Sequence, residues 1–477
     1  MALFNQTVGR LPRHRVLLPG VSVLAGSVRG IDRAPRHTAR RLLARYAGCS
    51  HGTRPSPRTP APIRKPARSR PRLTSTLSAR SSPNGANGML EAGVGPRPGK
   101  GAFVSAGCVQ RSERVAVIGV GILGACVGWN LSRHGAEVVF IDAGRPGEGV
   151  TNWSFSWVNA SNKTERRSYF DLNVASMAAY RELAETIGPG SWWHPSGHLR
   201  WADDPAAEAK LLETAELLAG WHYRVEVCTG AEVRRRLEPA LRVPGKTSVL
   251  FYPDEAWVHG RHLVGRLVGR AVESGAEHRS GTAVCDVGIG SDGSIRTVTL
   301  SDGSCLNVDV VVNAAGPSAS QVAGLIARHL PMRREPGVVT RIGGAQVPVH
   351  RAMHAPHIEI RPDGYASVVL HSREIDALID TGEDPAELAR LLHESARHVV
   401  PELGSSRIAQ TQVAYRPIPA DGFPSVGAVP SVPGYYEAVS HSGITLGPVI
   451  GRLLASEILS GKRDEMLADF RPERFPP

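Results

Sequence analysis

The chain has little of what would announce a metal centre or a membrane protein. Its 477 residues hold only six cysteines (Cys49, Cys108, Cys126, Cys228, Cys285, Cys305), scattered and never in a CxxC pair or at metal-ligand spacing. That excludes a cysteine-built metal site and points to buried thiols in a reducing compartment. No apolar run reaches the ~18 residues a membrane span requires, so no integral membrane segment is expected. Acidic residues are nearly missing from residues 1–110, where Asp32 and Glu91 face 19 Lys and Arg. The remainder holds 37 basic and 42 acidic residues. The net charge of +12 therefore belongs to the leader, and nucleic-acid binding by the mildly acidic body is excluded.

Residues 1–110 contain "RPSPRTPAPIRKPARSRPRL" and "SARSSPNGANG". Such Arg/Pro/Ser-rich sequence buries too little apolar surface to offset the entropy of ordering it. The favoured reading is a disordered basic extension, or an over-extended start with Met89 as a later one. "ARRLLARYAGCS" fits a transit peptide, and "VLLPGVSVLAG" after basic residues fits a secretory signal with a short, Pro-containing core. The expected location is cytoplasmic, or mitochondrial if the leader is a transit peptide.

What is there begins at Val115. "VAVI" is a buried parallel strand, followed directly by Gly119-Val120-Gly121-Ile122-Leu123-Gly124, a helical stretch to about His134, and a second strand "EVVFI". Asp142 ends that strand, 23 residues after Gly119, the distance a ribose hydroxyl requires. Gly119 permits the tight turn, Gly121 lets backbone approach a pyrophosphate, and Gly124 and Gly128 let the helix pack on the strands. The helix N-terminus offers N–H groups to phosphate. The acid disfavours a 2′-phosphate, hence NADP, but this unit alone does not separate NAD from FAD.

Downstream, "DAGRPGEGVTNWSFSWVNASNKT" is a Gly-rich loop that ends in hydroxyl residues. Here the chain resembles the FAD-dependent D-amino acid oxidase family, which includes glycine oxidase and sarcosine oxidase-like enzymes. The resemblance implies roles position by position. The turn residues Gly119, Gly121, Ile122, Leu123 and Gly124 would meet the dinucleotide. Asp142 and Ala143 would face the adenosine ribose, with Asp142 where the family usually has Glu. Val150 and Thr151 would touch the pyrophosphate, and Phe155, Ser156 and Trp157 would lie beside the flavin. "GTAVCDVGIGSDGSIRTVTLSDGSCLNVDVVVNAAGPSA" reads as a β-meander ending in a buried strand. In it, Val284 matches the residue that meets adenine, and Ala315 and Gly316 lie in the block that passes the pyrophosphate. "YRPIPADGFPSVGAVPSVPGYYEAVSHSGITLGPVIGRLLASEIL" is similar to the third family block. There Ser442, Gly443, Ile444, Thr445 and Leu446, ahead of a core-facing helix "GPVIGRLLASEIL", would point backbone N–H groups at the flavin pyrimidine.

The resemblance implies an α/β fold (α+β overall). A Rossmann-like FAD-binding domain of the glutathione-reductase type would span 111–190, 251–335 and 414–470. An antiparallel-sheet substrate domain would span 191–250 and 336–413. Trp257 to Glu277 is expected to be one helix, with His259-Gly260 where Asp-Pro is common, and "DPAELARLLHESARHVVPEL" an amphipathic one. Arg416 is the expected catalytic-site residue, because a guanidinium can pair bidentately with a substrate carboxylate; the alternative is a structural salt-bridge Arg. Tyr365 or Tyr415 could add a hydroxyl. His350, His354, His357 and His371 are read as lobe-surface or substrate-contact residues, with no metal site. Trp192-Trp193 are read as packing an interdomain seam.

The implied activity is oxidation of an amino acid or N-methyl amino acid (D-amino acid, glycine or sarcosine-like). Hydride would pass from Cα–H to noncovalent FAD, giving an imine that water hydrolyses to a keto acid. The electron acceptor is O2 or another acceptor, and homo-oligomerisation is left open. The alternatives are a non-catalytic flavoprotein subunit of a larger dehydrogenase and a plain NAD-dependent dehydrogenase.

Overall fold

Strand β1 (Arg114–Ile118) shows how the fold is built, because its alternate residues enter two different cores. Val115 and Val117 face a helical layer, while Ala116 and Ile118 face a β-meander. A parallel strand covered on both faces needs this uninterrupted apolar run. The computed structural model describes residues 113–344 and 347–476. The expected 1–110 extension lies outside the described residues.

From β1 the chain turns at Gly119 into helix α1 (Ile122–Arg133) and returns in strand β2 (Glu137–Asp142). Gly119 has φ +91°, and a Cβ there would lie 2.5 Å from the Ala314 carbonyl oxygen. A Cβ on Gly124 would lie 2.0 Å from the Gly119 carbonyl oxygen, so α1 meets the turn at a separation only glycine permits. The full sheet has six strands in the order 425–428, 435–439, 310–313, β1, β2, 277–280. All neighbours are parallel except the edge strand Ser425–Ala428. The meander strands Val284–Ile289, Ile295–Leu300 and Cys305–Asn307 cover one face. Its outward positions place Cys285 and Cys305 in solvent, which corrects the expectation of buried thiols; Cys126 and Cys228 are buried.

The other face carries α1, α2 (Arg167–Ile187), α3 (Gly260–Glu273) and α4 (Gly443–Ser460). Helix α3 is shorter than expected. Ala256–Val258 is a strand pairing with Trp157–Val158 and Trp193–His194, and His259 is the helix N-cap without a side-chain cap bond. Trp192 is buried, and Trp193 stacks on Tyr180 with ring centroids 5.1 Å apart.

Helix α4 starts at Gly443, ahead of the expected start at Gly447. Pro448 would ordinarily mark an early helical position. Inside α4 it instead leaves the Ile444 carbonyl without its i+4 donor, and the Tyr180 hydroxyl donates to that carbonyl. Tyr180→Phe is therefore expected to cost about 1–3 kcal/mol in denaturant unfolding; an unchanged midpoint would contradict this account of the helix start. Among the described residues α4 alone is long and apolar enough to cross a membrane by composition, but 67% of it is buried within the protein.

The second layer system is an eight-stranded sheet in the order 407–415, 336–343, 367–371, 358–362, 352–355, 198–200, 248–252, 226–229. It is antiparallel except between Ala352–Ala355 and His198–Arg200. The strand Ser248–Tyr252 runs two residues past the domain boundary expected at 250. Helix Pro385–Val399, capped by Asp384, buries Leu388, Leu391 and Leu392 along one face. All described residues belong to one unit.

Candidate active site

Two cavities abut at Val150, Ser154, Pro417, His441 and Ile444, which line both. The larger, about 570 Å³, begins at the turn after β1. Gly119, Gly121, Ile122 and Leu123 form its floor, Asp142, Ala143, Val150 and Thr151 one wall, Val284 one end, and Ala315 and Gly316 another wall. Gly443 and Ile444 close the far end. Gly124 lies behind this floor, in contact with Gly119.

The residues fit a dinucleotide. Gly121 caps α1 with no side-chain bond, so the first-turn amides after Ile122 face the cavity without a cap from their own helix. The Ile122 N–H itself donates to Thr151 Oγ1 at 3.0 Å, which ties the hydroxyl loop to the helix start. Asp142 accepts from the Val120 N–H at 2.7 Å and the Gly144 N–H at 2.8 Å, holding its carboxylate at the end of β2.

Phe155, Ser156, Trp157, Ser442 and Thr445 line the smaller cavity, about 160 Å³, and not the larger. Thr445 Oγ1 donates to the Trp157 carbonyl at 3.1 Å, and Tyr169 donates to Ser442 Oγ at 2.7 Å. Leu446 lines neither cavity. Its side chain is fully buried in the helical core, because one position along the first turn of α4 rotates a side chain off the cavity face.

Arg416 also lines the smaller cavity. Its Nη1 donates to Glu335 at 3.2 Å and to the Pro336 carbonyl at 2.7 Å, and its Nη2 donates to Asp376. The guanidinium lies over Gly337, where a Cβ would be 2.7 Å from Nη2. Nη2 also lies 2.9 Å from His371 Nε2, so of the guanidinium donors only Nε–H has no protein neighbour among the described residues.

Beside Arg416 runs a row of buried and half-buried titratable groups. His354, Glu359 and His371 are cross-strand partners in register. Glu359 Oε2 meets His371 Nδ1 at 2.7 Å, and His371 Nε2 meets Asp376 at 2.8 Å. On the other side His354 lies 3.3 Å from Glu359 and 2.6 Å from His198. His198 in turn approaches Glu255, whose carboxylate also accepts from Trp157, Tyr223 and the Ser161 N–H. Burial lowers His198 to about 4, so it is neutral. His441 reaches solvent through the two cavities and is otherwise enclosed by protein. Burial, then Lys163, Arg416, Arg373 and His371, press it down to about 3.

Burial opposes charge on His371, but Glu359 and Asp376 outweigh it and raise the imidazole to about 9. Unfolding returns it to the ordinary value near ~6.5. Protonated His371 therefore adds stability that is complete below ~6.5 and is lost as pH rises through its folded value. The melting temperature is expected to fall across that window, and H371Q to flatten the fall; an unaltered pH dependence in H371Q would contradict it.

Of the other expected contributors, Tyr365 is 86% exposed, on the turn before Ser367–His371, and lines neither cavity. Tyr415 lines the smaller cavity, but its hydroxyl accepts from Arg334 at 2.6 Å. Of the histidines, His354 and His371 face the cavity, whereas His357 pairs with Glu374 and Asp203. Among the described residues no group of three or more His, Cys, Asp or Glu could hold a metal. Lys163, Glu359 and Arg373 line the smaller cavity and were not singled out from sequence. Glu359 could have been found by pairing it with His354 and His371 across strands; Lys163 sits in a polar loop that carries no such signal.

A parallel sheet with a glycine turn feeding a dinucleotide-sized cavity, beside a small charged chamber walled by a second sheet, defines a dinucleotide-cofactor enzyme. The chain belongs to the FAD dependent oxidoreductase family (DAO), which matches residues 114–457. It is an FAD-dependent amino-acid or amine oxidoreductase, and FAD is its cofactor. The chain is 23% identical over 366 residues to a protein named glycine oxidase from Geobacillus kaustophilus (strain HTA426), covering 75% of this chain and 95% of that protein. It is 26% identical over 388 residues to D-proline dehydrogenase from Pyrobaculum islandicum, covering 73% and 96%. The crystal structure of glycine oxidase from Geobacillus kaustophilus superposes with a TM-score of 0.68 at 22% identity, covering 77% of this chain and 100% of that one.

Proposed function

We propose that this oxidoreductase acts on a small amino acid or N-methyl amino acid of the D-amino acid, glycine or sarcosine type. The observation that carries the reading is the junction of the two cavities. A chamber of about 160 Å³, lined by Arg416, His371 and Glu359, opens beside the end of the dinucleotide cavity closed by Gly443 and Ile444. When bound, FAD supplies a two-electron acceptor for hydride from the substrate Cα–H.

The protein's own part is binding and orientation. Arg416 holds the α-carboxylate by its charge and its Nε–H, while Asp376, Glu335, Pro336 and His371 keep the guanidinium still. Phe155 and Trp157 restrict water at the apolar side of the chamber. The N-terminal turn of α4 directs its partial positive charge toward the far end of the larger cavity. An amine that binds neutral requires no dedicated base, and water hydrolyses the imine product to a keto acid.

The test is anaerobic mixing of the holoprotein with a panel of D-, L- and N-methyl amino acids, read as loss of flavin colour. Bleaching by one or more small members is expected. A flavin that stays oxidised against the whole panel would replace this reading with a non-catalytic flavoprotein subunit.

A further inference from the structure

We infer that the smaller cavity receives a substrate bearing a second carboxylate, and that Lys163 and Arg373 are the residues that meet it. This rests on the oxidoreductase reading of the same cavity. Two of the four cations lining it are already matched. Asp376 serves both Arg416 and His371, and Glu359 serves His371.

Lys163 and Arg373 stand apart from that network. Lys163 is only 9% exposed, yet its ammonium meets just the face of the Tyr169 ring, 5.6 Å from the centroid. Among the described residues no carboxylate forms an ion pair with the Lys163 ammonium. A buried ammonium without a counterion is costly. Burial first, and then the positive charge of Arg373, push Lys163 down to about 8, while Glu165 and Glu255 offset this only in part. Arg373 opens the short helix Arg373–Asp376 and stands exposed at the cavity wall. Two like charges that repel across a shared chamber are both relieved by an anion placed between them.

A monocarboxylic amino acid would satisfy Arg416 and leave both of these cations unmatched. An amino-dicarboxylate of aspartate or glutamate size, held at one end by Arg416, would match both. The assignment makes Lys163 and Arg373 specificity residues, acting on substrate choice in preference to the redox step.

The experiment is calorimetric titration of the full-length holoprotein with the unreactive probes succinate, glutarate, propionate and butyrate. At least one dicarboxylate is expected to bind about tenfold or more tightly than its monocarboxylate partner. K163M and R373Q, checked for retained flavin absorbance, are each expected to shrink that preference while leaving monocarboxylate affinity little changed. Equal affinity for both classes in the wild type, or a uniform loss for both in K163M, would overturn the inference. Failure of the parent reading shows separately, as a flavin that no amino acid bleaches; a flavin bleached by alanine or sarcosine with no dicarboxylate preference would sink the inference alone.

Discussion

Gly119→Ala is expected to give a protein purified without its flavin. Two independent costs coincide at this residue. The backbone has φ +91°, which an alanine adopts only with about 1–3 kcal/mol of strain. The new methyl would also lie 2.5 Å from the Ala314 carbonyl oxygen and 2.6 Å from the Ala315 Cα, both main-chain atoms. Relief requires the turn or the 314–316 segment to move, and both segments line the larger cavity. Gly121→Ala separates the fold from the cofactor: the turn should tolerate it, and any loss of flavin there would report the methyl entering the cavity that Gly121 lines. Its Cβ would meet only the Thr151 hydroxyl at 3.2 Å, a side-chain atom that can shift by a few tenths of an ångström. The flavin-to-protein ratio of the purified variants is the measurement. A full complement of flavin in Gly119→Ala would show that the cofactor does not depend on this turn.

Arg416→Ala is expected to lower kcat/KM by about 10²-fold, mostly through KM, because a charge-assisted bond to the substrate carboxylate costs about 2–5 kcal/mol to remove. The flavin should remain bound, since Arg416 does not line the larger cavity. Stability should fall as well, by less than the ~3–5 kcal/mol of a fully broken buried pair, because His371 still neutralises Asp376. Arg416→Lys keeps the charge but loses the fork, so it should recover stability better than KM. Steady-state kinetics on the best amino acid from the bleaching panel decide the matter. Unchanged KM in Arg416→Ala would assign this residue to lobe structure and move carboxylate recognition to other cations of the chamber.

The cofactor half of the fold was legible because its physics is local. A strand covered on both faces, a turn that tolerates no Cβ and an acid at the end of the next strand lie within thirty residues of sequence. The meander was legible for the same reason, through its Ser-Asp-Gly turns. The substrate chamber was not, because its walls come from chain segments brought together only by the sheet. His354, Glu359 and His371 become a row only once three antiparallel strands are in register. The engagement of Arg416 by Asp376 and Glu335 could not be read from a motif that supplies the arginine alone. The early start of α4 depended on a hydroxyl from Tyr180, 264 residues away in the chain. Leu446 shows the limit of reading a run of positions as one surface: its side chain turns into the helical core and its N–H donates to the Ser442 carbonyl.

The most direct test of the account is rapid anaerobic mixing of the holoprotein with its best amino acid, prepared with hydrogen or with deuterium at Cα. The account predicts that flavin colour is lost in a single turnover and that deuterium slows the loss, because the Cα–H bond breaks as the electrons leave the substrate. Bleaching at the same rate with both isotopes, or no bleaching at all, would contradict hydride transfer from a bound amino acid at the junction of these two cavities.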